Sequence, residues 1–77
     1  MADDLLRKIT VYTLLMGGAQ PEAGFFDQLC TTHWFPATVD RWFGGDYRVK
    51  YDETLAFLLH RRSVVREQGR LRTLARP

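Results

Sequence analysis

The stretch QLCTTHWFPATVDRWFGG, residues 28–45, decides how this chain is read. It ends one apolar-patterned segment at Leu29 and Cys30, breaks at residues 32–35, and starts a second segment at Pro36. Proline suits the first position of a helix, because its φ is already helical and its missing N–H has no partner there anyway. A helix over residues 36–43 follows, stopped by Gly44-Gly45, with Phe35 at the N-cap, where it supplies no acceptor. Leu29, Trp34, Val39 and Trp42 recur at the spacing that two short crossing helices need to share a small core. Both tryptophans are accordingly expected inside, not as stacking platforms.

Working towards the N-terminus, residues 22–31 form the preceding helix, turning Phe25, Phe26, Leu29 and Cys30 inward. Gly17-Gly18 and Pro21 mark a loop over residues 17–24. A first helix over residues 3–16 has Asp3 and Asp4 in its opening turn and repeats Leu5, Ile9, Tyr12 and Leu15 or Met16 on one face. Towards the C-terminus, residues 46–51 alternate, with Tyr47, Val49 and Tyr51 on one side and Arg48 and Lys50 on the other, the pattern of a half-buried strand. Asp52 caps a last helix over residues 53–68, which turns Leu55, Leu58, Leu59 and Val65 inward and ends at Gly69. The expected fold is mainly α: a small four-helix domain with a central helix-turn-helix and a short wing-like extended segment at 46–51. It is expected to occupy residues 1–69, with residues 70–77 an arginine-rich flexible tail.

Seventy-seven residues close one core, and 45% hydrophobic and 13% aromatic content supplies the apolar mass for it. The single cysteine, Cys30, allows no intramolecular disulfide, which points to a reducing, cytoplasmic setting. No apolar run approaches the roughly 18 residues that span a bilayer, and no membrane partner is expected. The net charge of +2 hides an asymmetry: residues 1–40 hold five acids and two bases, residues 41–77 nine bases and four acids. A basic half is the footprint of a polyanion partner, since neutralising phosphates releases counterions and gives affinity for any sequence.

Residues 28–45 resemble the helix-turn-helix of bacterial and phage DNA-binding proteins, with His33 at the turn position where glycine is usual. The following stretch, GGDYRVKYDETLAFLLHRRSVVREQG, resembles the wing and next helix of MerR-type regulators and phage excisionases. The long leading helix also suits the all-helical phage-repressor type. These resemblances imply a regulator or excisionase-like factor that places residues 36–43 in a major groove of double-stranded DNA. Ala37, Asp40 and Arg41 would read bases, Arg41 through guanine and Asp40 through a cytosine amino group. Thr38, Arg48, Lys50, Arg61 and Arg62 would hold phosphates. A domain this small binds weakly alone, which implies a homodimer or a cooperative array.

The alternative is a protein-binding module with no nucleic-acid role, an adaptor or inhibitor of a larger complex, whose motivation is the acidic N-terminal half, Asp40 and an exposed Phe35. Metal and catalysis are not expected. Cys30, His33 and His60 are the only soft ligands, too few for a structural zinc site. Neither glycine pair precedes the Lys-Ser/Thr of a phosphate loop, and no nucleophile elbow is present, so neither cofactor nor enzyme activity is expected.

Overall fold

A computed structural model describes residues 2–74. The fold is mainly α. Four helices, α1 (Ala2–Gly17), α2 (Phe25–Thr31), α3 (Trp34–Phe43) and α4 (Tyr47–His60), surround a core closed at one end by three short strands, β1 (Gln20–Pro21), β2 (Val64–Glu67) and β3 (Arg70–Thr73). The strands form one antiparallel sheet in the order β1-β3-β2.

Helix α1 starts on Asp3 and Asp4, whose charges complement the dipole of the first turn, and buries Leu6, Thr10 and Leu14, four residues apart. Thr10 is tolerated inside because its hydroxyl donates to the Leu6 carbonyl at 2.9 Å. The chain leaves α1 through Gly18 at φ 73°. Phe25 and Leu29 of α2 enter the core. Thr32 then links α2 to α3: its hydroxyl donates to the Leu29 carbonyl at 2.7 Å and accepts the Phe35 amide at 3.3 Å. That hydroxyl does the capping work, so α3 begins two residues before Pro36, and His33 is right-handed at φ −66°. Gly44, at φ 79°, ends α3 as expected, and the amides of Gly44 and Gly45 both turn back to the Val39 carbonyl.

The earlier start reassigns the aromatics. Phe35 is fully buried with Val39, whereas Trp34 and Trp42 are 59% and 58% exposed. The expected shared core of Leu29, Trp34, Val39 and Trp42 is therefore half right, with Phe35 filling the place given to the tryptophans. The expected strand at 46–51 is also corrected. Asp46 accepts the Val49 amide at 3.2 Å as the N-cap of α4, and Tyr51, Leu55 and Leu58 then point inward with helical spacing. The alternation of Tyr47, Val49 and Tyr51 was coincidental, since Val49 stands 47% exposed.

Helix α4 stops at His60, well short of the expected 68. Arg62 turns left-handed at φ 59°, and the Ser63 amide reaches the Leu58 carbonyl at 3.0 Å. A hairpin follows. Gln68 and Gly69 both have positive φ, 53° and 72°, as a two-residue turn of type I′ requires. Val64 and Leu71 bury their side chains and seal the core beneath α1 and α4. The expected tail thus begins inside the sheet: residues 70–73 are β3, the central strand, and residues 75–77 lie outside the described residues. Pro21, which has no N–H to donate, sits in the two-residue edge strand β1.

Candidate nucleic-acid interface

Between Arg61 and Thr73 five arginines stand against one acid, Glu67, and all five are exposed. Residues opposite one another in an antiparallel pair share a face, so the register Val65↔Arg72 and Glu67↔Arg70 puts Arg70 and Arg72 on the outer face of the hairpin. Glu67 lies with them and is paired with Arg72 at 2.8 Å. Arg66 lies on the inner face with Val64 and Leu71, near the turn, and grips Glu22 through two bonds of 2.6 and 2.7 Å. That bidentate pair holds the guanidinium charged, and it ties the hairpin to the loop before α2. Arg70 donates to the Ala19 carbonyl at 2.9 Å and forms no ion pair among the described residues, since Glu67, across the strand from it, is taken by Arg72.

At the base of the hairpin, the ring of Phe57 has the Arg7 guanidinium 3.4 Å and the Arg61 guanidinium 5.3 Å from its centroid. Arg61 and Arg62 meet no acid among the described residues. Besides Lys8 and Arg41, the exposed cations with no acid partner among the described residues are therefore Arg61, Arg62 and Arg70, these three on one continuous piece of chain. Of these, Arg61 and Arg62 were expected at the interface. Arg70 was missed because Gly69 reads equally as a helix stop, although Gln-Gly between two four-residue runs is a hairpin signal.

The other residues expected to touch DNA are dispersed. Thr38 is buried, and its hydroxyl donates to the Trp34 carbonyl at 2.8 Å, which removes it from any phosphate. Lys50 is turned inward: only 13% of its side chain is exposed, its ammonium donates to Glu53 at 2.8 Å and Asp3 at 3.1 Å, and the Phe43 ring centroid is 4.0 Å away. The bond to Glu53, with help from Asp3, pushes its pKa up. Arg48 is exposed and pairs with Asp52 at 3.3 Å. Asp40 accepts the Tyr47 hydroxyl at 2.6 Å, a bond that raises the tyrosine pKa and joins α3 to α4. Ala37 and Arg41 remain exposed on the outer side of α3, with Arg41 5.3 Å from the Trp42 ring centroid. Helix α4, at 1.5 Å per residue, separates Arg48 from Arg61 by roughly 20 Å. The expected set thus divides into an α3 pair, the start of α4 and the base of the hairpin.

A second kind of surface lies elsewhere. Leu5, Tyr12, Leu15 and Met16 of α1 are exposed, as are Trp34 and Trp42 of α3. Cys30 is only half-buried, not sealed inside as expected, and burial together with the nearby charge of Asp27 raises its pKa. Among the described residues no three His, Cys, Asp or Glu side chains converge on a point where a metal would sit, and no helix is long and apolar enough to cross a membrane. Compared with known protein families, characterised proteins and solved structures, the chain matches none.

Proposed function

We propose that this protein is a small regulator that binds double-stranded DNA, holding phosphates with the base and outer face of its hairpin. The observation that carries the reading is the run of five exposed arginines against one acid over residues 61–73. A rigid hairpin presents cations without the entropy cost of ordering a loose tail, so the affinity per charge is higher than a disordered segment would give. Among the helices, the outward side of α4 carries Asp52 and Glu53 and suits a groove poorly, whereas α3 offers Ala37 and Arg41. Arg41 is the base reader in this scheme and Arg61, Arg62 and Arg70 are the clamps.

The test separates the two roles. Replacing Arg61, Arg62 and Arg70 together by alanine lowers the slope of log affinity against log salt by up to about three and weakens every duplex alike. Arg41→Ala costs about 1–3 kcal/mol on a selected site and relaxes one base pair. Wild-type protein that binds duplex with no salt dependence, or not at all, overturns the proposal. A protein-binding role then stands as the second reading, favoured by the exposure of Trp42 beside Arg41.

A further inference from the structure

We infer that the outer face of α1, together with Trp34, is the surface through which two copies of this chain associate. Helix α1 commits only Leu6, Thr10 and Leu14 fully to the core. On the opposite side, Leu5 is 43% exposed, Tyr12 55%, Leu15 40% and Met16 73%, and helical spacing places them side by side. A shallow groove of about 620 Å³ borders this face, lined by Arg7, Lys8, Val11, Tyr12 and Leu15 of α1 and reaching Trp34 and Ser63.

Area and charge choose the occupant. Taking roughly 200 Å² for each large side chain, the exposed parts of Leu5, Tyr12, Leu15, Met16 and Trp34 present on the order of 500 Å² of apolar surface. That is the upper range of what a lone monomer leaves uncovered, and with the rim of Asp4 and Lys8 it approaches the ~800 Å² per partner of a standard interface. Tyrosine, tryptophan and methionine are also the residue types that interface cores favour. The charges bordering this face are Asp4, paired with Arg7 at 3.6 Å, and Lys8. One unpaired lysine per copy is a small, salt-screened repulsion beside the apolar area that two copies would cover. DNA would find a single lysine and a broad apolar face, a poor match for its phosphates. A two-fold pairing closes on itself, covering the patch on both copies at once. The inference does not depend on DNA binding, although two joined hairpins would strengthen it by avidity.

The test uses the whole chain. Equilibrium sedimentation is expected to show a mass rising from 9.0 kDa towards twice that value as concentration increases. Leu15→Glu and, separately, Met16→Glu each weaken self-association about tenfold or more while leaving the helical circular dichroism unchanged. Tryptophan emission identifies the face. In a Trp42→Phe variant, where Trp34 alone reports, emission shifts to the blue with concentration, whereas in Trp34→Phe it does not. A monomer up to about 1 mM, well above any specific dimer's Kd, overturns the inference. So does association that survives both glutamates, or a shift carried by Trp42. Duplex binding that persists in monomeric Leu15→Glu leaves the DNA reading standing, and a dimer that ignores duplex leaves this one.

Discussion

The helical part of the molecule and its hairpin expose opposite chemistries. The helices carry the exposed Leu5, Tyr12, Leu15, Met16, Trp34 and Trp42, and most of their charges are spent on one another in pairs such as Lys50 with Asp3 and Glu53 or Arg48 with Asp52. The hairpin and its base bury Val64 and Leu71 and expose arginines. A net charge of +2 therefore says little about either region. Partner choice follows from which charges the fold leaves unpaired: beyond residue 60 these are Arg61, Arg62 and Arg70, and among the described helical residues Lys8 and Arg41 are the exposed cations without an acid partner. The separation also means that each surface is open to removal without the other.

The contrast is tested most severely at α3, where adjacent aromatics have opposite fates. Phe35→Ala is expected to destabilise by about 3–5 kcal/mol, because it empties a fully buried site in a domain with little stability to spare. Trp42→Ala should stay within about 1 kcal/mol, as exposed substitutions usually do. Denaturant melts of both variants decide it, and a Trp42 cost equal to that of Phe35 would return the tryptophan to the core.

A smaller effect is expected at the hairpin turn. A Cβ on Gly69 would meet nothing within 4 Å, so Gly69→Ala carries only the conformational cost of φ 72°, about 1–2 kcal/mol. Gly69→Asn, which tolerates that backbone region, should recover most of the loss. If both variants melt like the wild type, the tight turn is wrong. If duplex affinity in Gly69→Ala falls while the helical signal remains, the rigid hairpin is confirmed as the cation platform.

The smallest effect concerns Cys30. Partial burial, and secondarily Asp27, raise the thiol pKa, so less thiolate is present at pH 8 than on a free cysteine. Alkylation should be slower than for a model thiol, with a rate still climbing where the model thiol has levelled off. Asp27→Asn should speed it modestly. An alkylation profile identical to a free thiol would place Cys30 outside the packed half of α2.

Much of the architecture is written in local chemistry. Acids opening α1, the glycine stops at residues 17–18 and 44–45, and the apolar spacing of α2 act within a turn or two of chain, so the sequence alone determined the leading helices and the mainly α class. It also contained the Gln-Gly turn and the Asp46 cap, each masked by a competing local pattern: a helix stop at Gly69 and the alternation of Tyr47, Val49 and Tyr51. Only the tertiary structure decided between those readings. Val64 and Leu71 bury themselves against α1 and α4 only as strands, and Tyr51, Leu55 and Leu58 align only if residues 47–60 are helical. The same holds for the surface. Phe35 and Trp34 are neighbours in sequence, but starting α3 at residue 34 rotates one inward and the other out, and Lys50 is withdrawn from solvent by Asp3, 47 residues away. Burial and ion pairing depend on distant partners brought together by the fold, which is why the unopposed arginines and the bare face of α1 emerged only in three dimensions.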